Sequence, residues 1–249
     1  MSEEESYWVR ADLSRNEDDA AMQKRSLLRL PLPTAFLASL VNILVTDFGF
    51  TRSQEENKPL LGNGEEIPMW SYGLIEYLMS QDLSWADVLE IGTGSSTIFL
   101  SKRVKSITAV ETDAGWAKKL DERKLENVKT VLIEQSALNR SLAAMEDRYD
   151  IICIDPAGNR LACAKAAARL LRPGGFIILD NSEWYPNTAE YLRSLDLIEI
   201  DMFDFRALRH YRTATSLFLH PEFRPRPLNK RMPAVPIGGR GIPVHGWDQ

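Results

Sequence analysis

The chain has 249 residues, of which 44% are hydrophobic and 26% charged, enough for one α/β domain with additions or at most two small domains. Its net charge of −5, with acids and bases mixed along most of the chain, argues against nucleic acid as a partner, because phosphate binding requires a concentrated basic face. Two cysteines, Cys153 and Cys163, are too few for a disulfide framework or a zinc ligand set, which fits a cytoplasmic protein. The most apolar stretch, residues 35–45, would span about half a bilayer core as a helix, so no membrane partner is predicted.

The N-terminal part, residues 1–67, is predicted to form an arm and a helical cap. Its first thirty residues are polar and acidic, which favours a loosely packed arm. A proline-flanked segment then predicts a helix over residues 34–45, with Thr34 as its N-cap. Residues 51–67 are rich in Glu, Asn and Gly and are predicted to form a surface loop.

Residues 68–220 alternate between strand-like and helix-like segments. Predicted strands cover residues 88–91, 106–110, 128–133, 149–154, 176–179, 197–202 and 214–219. Predicted helices cover residues 69–79, 96–104, 113–124, 138–145, 160–171 and 188–195, the fifth of them ended by Pro173-Gly174-Gly175. This alternation predicts βαβ units around a parallel sheet, and the absence of a helix between the last two strands predicts an antiparallel hairpin.

The tail, residues 221–249, holds six of the chain's thirteen prolines and five basic residues against two acids. Proline fixes φ and removes an amide donor, so we expect an extended arm rather than a helix or an inner strand. The segment is also more apolar than a solvating tail requires. It is therefore predicted to dock on its own domain or on a second subunit, where it would support a homo-oligomer.

A glycine-containing turn follows the first predicted strand of the sheet, in Glu90-Ile91-Gly92-Thr93-Gly94. Glycines at this place let the backbone approach a ligand at the carboxyl end of the strand. A dinucleotide-binding turn would carry a third glycine at position 97, where this chain has Thr97. An acid just before the glycines suits a cofactor with a cationic amino-acid end.

The second predicted strand ends at Glu111, nineteen residues after Gly92. A carboxylate at this position can accept hydrogen bonds from both hydroxyls of a ribose. A single acid at a strand end is a weak signal, but together with the preceding turn it predicts a nucleoside-containing cofactor.

These motifs resemble those of the class I S-adenosylmethionine-dependent methyltransferases in order and spacing over residues 68–220. The resemblance implies a Rossmann-like fold with a mostly parallel seven-stranded sheet, a C-terminal antiparallel hairpin and helices on both faces. It implies S-adenosylmethionine as cofactor. The residues it assigns to the cofactor are Glu90, Gly92, Gly94 and Ser96 at the methionine end, Glu111 at the ribose, Gln135 and Ser136 at the adenine, and Asp155 near the methyl group.

Asp155 closes the fourth predicted strand, and Asp180 and Asn181 close the fifth. Three oxygen ligands at neighbouring strand ends suit Mg²⁺, and this set resembles the metal site of catechol O-methyltransferases. In those enzymes the ion lowers the pKa of the acceptor oxygen, and a lysine base stands three residues after the first Asp. Here that position is Gly158, which leaves open whether the three residues bind a metal or merely end their strands.

His210 lies between the last two predicted strands, in a connection that can overhang the acceptor pocket in this fold. A histidine there could act as a metal-free general base beside Asp155, although an exposed loop histidine is the simpler interpretation. The two aromatic residues after the fifth strand, Trp184 and Tyr185, could line an acceptor pocket or serve in packing.

The sequence therefore predicts a methyltransferase that acts on a small-molecule acceptor, at an oxygen of a sugar or of a phenolic natural product. Three alternatives remain open. They are methylation of a small-molecule amine, a catalytically silent subunit that binds a protein partner through its tail, and a dinucleotide-dependent oxidoreductase, which Thr97 disfavours.

Overall fold

The structure is a computed structural model that describes residues 32–229 and 233–239, and the predicted arm at residues 1–30 lies outside them. The strands are β1 (Asp87–Ile91), β2 (Ser106–Glu111), β3 (Val128–Leu132), β4 (Tyr149–Ile154), β5 (Leu171–Asp180), β6 (Ile198–Asp204) and β7 (Thr213–Leu219). The α-helices are α1 (Leu32–Asn42), α2 (Phe50–Glu56), α3 (Tyr72–Met79), α4 (Ser95–Ser101), α5 (Ala114–Asp121), α6 (Leu138–Ala144), α7 (Arg160–Ala167) and α8 (Pro186–Arg193).

The seven strands form one sheet in the order β3-β2-β1-β4-β5-β7-β6. Strands β1 to β5 are parallel to one another, and β7 is antiparallel to both β5 and β6. This order, with a C-terminal hairpin whose last strand lies between β5 and β6, confirms the predicted Rossmann-like methyltransferase fold.

Two hydrophobic clusters cover the two faces of the sheet. Strand β4 is buried along its whole length because helices pack on both sides of it. Helix α3 belongs to the first cluster and buries Tyr72, Leu74, Ile75 and Leu78, which lie on one face at helical spacing. Each such aliphatic side chain contributes about 1.5–3 kcal/mol when it is removed from water, so helix α3 is firmly attached to the domain.

Residues 51–67 form the predicted loop only in part, because the chain is helical as far as Glu56. Helix α2 begins after Gly49, and both Gly49 and Asn57 at its ends adopt left-handed backbone conformations. Beyond it, Leu60 pairs with Glu66 in an isolated bridge, and both Leu60 and Ile67 are buried. The helix and the burial of Leu60 and Ile67 were not predicted, because composition alone does not reveal a few buried apolar residues among many polar ones.

The helix predicted over residues 34–45 also has different limits. It begins at Leu32, so Thr34 lies inside the first turn and is not its cap. After Asn42 the chain continues as a π-helical turn, Ile43–Asp47.

The segment Pro173-Gly174-Gly175 does not end a helix as predicted. Helix α7 ends at Ala167, and β5 already starts at Leu171, opposite Tyr149 of β4. The next pair of this ladder is Ile151 with Phe176, so residues 172–175 bulge out of register. Proline lacks an amide donor and Gly174 adopts a left-handed conformation, which explains why the ladder is interrupted here.

The described parts of the tail, residues 221–229 and 233–239, lie against the chain's own domain. The Leu228 amide donates to the Ser80 carbonyl (2.9 Å), and Phe223 packs edge-to-face on Phe176. The Arg226 guanidinium lies 4.0 Å from the centre of the Trp85 ring. These described residues of the tail therefore contact their own domain, while the rest of the predicted tail lies outside the described residues.

None of the helices in residues 32–229 and 233–239 combines the length and the apolar character needed to cross a membrane.

Candidate functional site

The turn after β1 approaches β4 so closely that only glycine fits at position 92. A Cβ on Gly92 would lie 2.3 Å from the backbone oxygen of Asp155, and the residue has φ +87°. Gly94, in contrast, has no atom within 4 Å of the place where a Cβ would stand. The first glycine therefore joins two strand ends, and the second leaves open space at the N-terminus of α4 where a ligand can approach the backbone.

Glu90 is the most unusual residue of this turn. Its side chain is 1% exposed, and neither carboxylate oxygen has a partner in hydrogen-bond geometry among the described residues. Burial raises the pKa of Glu90 to about 8, although the nearby hydroxyls of Ser96 and Thr97 lower it in part. A buried acid without a partner is costly, and a cationic group of a ligand would compensate it.

Glu111 accepts four hydrogen bonds from its own chain. The Thr93 amide (2.9 Å) and hydroxyl (2.6 Å) donate to one oxygen, and the Thr112 (2.6 Å) and Asp113 (2.9 Å) amides donate to the other. The carboxylate thus ties the glycine turn to the end of β2. A ribose would have to share these oxygens or displace Thr93, so the predicted role of Glu111 remains a prediction.

A cavity of about 270 Å³ lies between these strand ends. It is lined by Ile91, Gly92, Thr93, Val110, Glu111, Thr112, Asp113, Trp116, Leu138, Asp155, Pro156 and Ala157. A second cavity of about 290 Å³ shares Thr93 and Trp116 with it and extends past Gly94 and Ser95. Acids dominate the charged groups around the first cavity, which favours a cationic ligand over a pyrophosphate.

The other residues predicted to bind the cofactor lie around this region. Ser96 is in the first turn of α4, 8% exposed, next to Glu90. Gln135 and Ser136 lie on an exposed turn between β3 and Leu138, which lines the cavity. Their side chains make no hydrogen bond that would fix them in the described structure, so the adenine assignment stays a prediction.

Asp155 is paired with an arginine. Its carboxylate lies 2.5 Å from the Arg160 guanidinium, and its side chain is 29% exposed. Arg160 is 6% exposed, donates to the carbonyl oxygens of Pro156 and Asp180, and stacks on the Tyr185 ring at 4.3 Å. These contacts fix Arg160 between the ends of β4 and β5.

Asp180 is paired with a second arginine. The Arg206 guanidinium lies 3.3 Å from one carboxylate oxygen, and the Thr215 hydroxyl donates to the other at 2.8 Å. The amide of Asn181 fits its surroundings best with its nitrogen donating to Asp180 (2.9 Å) and its oxygen accepting from Arg206 (2.8 Å). Burial and the charge of Asp155 raise the pKa of Asp180 to about 7.

The three residues predicted to bind Mg²⁺ do not fit a divalent ion in this arrangement. Each of Asp155, Asp180 and Asn181 already contacts a guanidinium group. Residues 32–229 and 233–239 contain no cluster of three or more His, Cys, Asp or Glu side chains placed to hold a metal. Gly158, which stands at the lysine position of the resemblance, has φ +89°, a conformation that a lysine would adopt only under strain.

His210 lies at the same edge of the sheet but on the surface. It is exposed, and its ring packs edge-to-face on Tyr211 at 5.7 Å. Tyr211 in turn lies 6.3 Å from Trp184. Trp184 and Tyr185 line a third cavity, of about 250 Å³, whose wall also includes Arg160. Asp155 lines the first cavity, at the ends of β1, β2 and β4, so the Asp155–Arg160 pair lies between that cavity and this one.

Sequence reasoning missed Arg206, which lies in the connection between β6 and β7 and is 5% exposed. It also missed Arg160 as the ion-pair partner of Asp155. No local pattern marks Arg206, because its partner Asp180 lies 26 residues earlier in the chain.

No protein-family model matches the chain, and a comparison with curated proteins finds no similar sequence. Several solved structures show a distant likeness. The precorrin-6y C5,15-methyltransferase of Geobacter metallireducens is 15% identical, with a TM-score of 0.48 over 59% of this chain and 86% of the other. An N-methyltransferase of Bradyrhizobium japonicum is 14% identical, with a TM-score of 0.46 over 71% and 99%. The fibrillarin pre-rRNA processing protein of Methanococcus jannaschii is 15% identical, with a TM-score of 0.48 over 61% and 75%.

These similarities are too distant to assign an activity. The strand order nevertheless defines a class I methyltransferase fold, and a cavity lies at the carboxyl ends of β1, β2 and β4.

Proposed function

We propose that the protein transfers a methyl group from S-adenosylmethionine to a small-molecule acceptor. The side chain of Glu90 supports the proposal most directly, because it is a buried acid without a hydrogen-bond partner among the described residues, and the ammonium group of the cofactor's methionine end would stabilise its ionised form. Gly94 would let the same methionine end approach the backbone, while Gly92 allows the turn to lie against the end of β4. The acids around the cavity disfavour the pyrophosphate of a nicotinamide cofactor.

We further propose that the methyl acceptor is an oxygen of a sugar or phenolic hydroxyl. Bound S-adenosylmethionine supplies an electrophilic methyl group on a sulfonium, so the chain needs chiefly to align the acceptor and exclude water. Asp155 lines the cavity proposed for the cofactor, and its partner Arg160 lines the cavity formed by Trp184 and Tyr185. The Arg206 Nε is a buried donor without a partner among the described residues, and an acceptor oxygen could satisfy it. His210 is the proposed base.

Methylation of a small-molecule amine remains an alternative. The silent-subunit alternative is less well supported, because the described parts of the tail contact their own domain rather than standing free for a partner. We keep the proposals of a cytoplasmic location and of no nucleic-acid or membrane partner. Homo-oligomerisation through the tail also remains a proposal.

Calorimetric titration with S-adenosylmethionine and with NAD tests the cofactor assignment. We expect saturable binding of S-adenosylmethionine only, with release of about one proton at pH 7, because an ammonium beside Glu90 favours its ionised form over the protonated form that burial favours. Heats measured in buffers of different ionisation enthalpy give the proton count. Glu90→Gln should abolish the release and weaken binding, whereas Glu146→Gln, at an exposed glutamate, should change neither.

Binding of NAD in place of S-adenosylmethionine would overturn the proposal. The acceptor is tested separately, by incubating the protein and methyl-labelled cofactor with sets of hydroxyl and amine compounds and locating the label by mass spectrometry. Label on nitrogen alone would replace the oxygen acceptor with the amine alternative.

A further inference from the structure

The acceptor side of the site contains two buried arginines whose charges are held in place on several sides. Arg160 and Arg206 are 6% and 5% exposed, and each forms an ion pair with a strand-end aspartate. Arg160 is also fixed by backbone carbonyls and by the Tyr185 ring. Such groups do not move aside easily, because leaving the paired aspartate without its partner in the interior is costly.

The partners of these arginines are the very oxygen atoms that a divalent ion would need. Asp155 forms an ion pair with Arg160, and Asp180 forms one with Arg206. The side-chain oxygen of Asn181 is best placed to accept a hydrogen bond from Arg206 as well. A divalent cation among them would lie next to two fixed positive charges, where like-charge repulsion outweighs attraction to carboxylates that are already neutralised.

We infer that Arg160 and Arg206 take the place of a divalent metal ion at the acceptor end of the site. They act as positioning residues, since they hold Asp155 and Asp180 in fixed orientations at the boundary of the two cavities. The inference concerns cation occupancy only, so it can hold or fail independently of the proposed methyl transfer.

Titration calorimetry with Mn²⁺ and Mg²⁺ on the full-length protein tests this inference. The unmodified protein should show no saturable binding at this site. Arg206→Met removes one positive charge and should bind Mn²⁺ about tenfold more tightly or better than the unmodified protein. The matched control is Arg209→Met, at an exposed arginine of the same connection, which should gain nothing. Adding Asp155→Asn to Arg206→Met should remove the gain, which a purely structural role of Arg206 would not predict.

Two results would overturn the inference. One is saturable Mn²⁺ or Mg²⁺ binding to the unmodified protein that Asp155→Asn abolishes, and this measurement needs no arginine variant to fold. The other is a folded Arg206→Met protein with no gain in affinity. If Arg206→Met does not fold, Arg206→Gln and Arg206→Lys replace it. The charge-free glutamine variant should then gain Mn²⁺ affinity, and the lysine variant should not; equal affinities would contradict the inference.

Discussion

The two halves of the ligand-binding edge contain buried carboxylates in opposite states. At the end of β1, Glu90 lacks any partner in hydrogen-bond geometry within the described chain. At the ends of β4 and β5, Asp155 and Asp180 are each paired with an arginine. We call the first the proposed cofactor half, whose carboxylate has no hydrogen-bond partner among the described residues, and the second the proposed acceptor half, whose two carboxylates are paired. Loss of an acid should stabilise the first half, and loss of a partner should destabilise the second.

The largest expected effect is on the acceptor half. Arg160→Ala leaves Asp155 without its partner and removes the link to the Asp180 carbonyl, so we expect a loss of about 3–5 kcal/mol in the free energy of unfolding. Urea denaturation measures this loss. The control is Arg209→Ala, at an exposed residue. A loss of less than about 1 kcal/mol, the usual range of surface ion pairs, would mean that the pair is not part of the interior.

A change of opposite sign is expected in the cofactor half. Glu90→Gln removes an uncompensated buried acid, so at pH 8 the ligand-free protein should gain about 1–3 kcal/mol in the free energy of unfolding. The same variant should bind S-adenosylmethionine more weakly. Denaturation with and without cofactor measures both quantities. A variant that is less stable without ligand would show that Glu90 has a structural partner.

The pH dependence of stability sharpens the comparison. Burial raises the pKa of Glu90 to about 8 and that of Asp180 to about 7, so the folded chain retains protons that the unfolded chain releases near pH 4. These retained protons stabilise the folded chain fully below about pH 4, and this stabilisation is lost as the pH rises toward 8. Scanning calorimetry of the ligand-free protein should show the melting temperature falling over this range, with a smaller fall in Glu90→Gln. A melting temperature that rises instead would contradict both shifts.

The smallest effect is expected from the tail, which lies outside both halves. Deleting residues 222–249 removes the Leu228–Ser80 hydrogen bond and the packing of Phe223 on Phe176, which together contribute about 1–2 kcal/mol. For a chain of this size that corresponds to a fall of several degrees in melting temperature, at about 2–4 °C per kcal/mol. Cofactor affinity and proton release should not change. A change in either quantity would show that the tail contacts the proposed cofactor site.

The sequence predicted those parts of the fold and site that depend on local patterns. Most strands of the sheet follow from an apolar run with a turn signal after it. Gly92 was recognisable because a close backbone contact requires glycine. The partners of Asp155 and Asp180 could not be predicted in the same way. Arg206 reaches Asp180 only because β7 inserts beside β5 and brings the preceding connection to the same edge. The helix at Phe50–Glu56 was missed because the buried residue within it, Ser53, is polar, and the buried apolar residues Leu60 and Ile67 lie outside it.

The insertion of β7 between β5 and β6 also has a consequence for the order of folding. Strand β6 emerges from the ribosome before β7, yet β7 is its only neighbour in the described sheet. Until residues 213–219 are synthesised, β6 has no strand to pair with and β5 has a free edge. We therefore expect the β6–β7 hairpin to form as a local unit and to join β5 late, since long-range pairing follows local contacts. A ribosome-bound chain that stops before Thr213 should accordingly expose the apolar edge of β5 to chaperones.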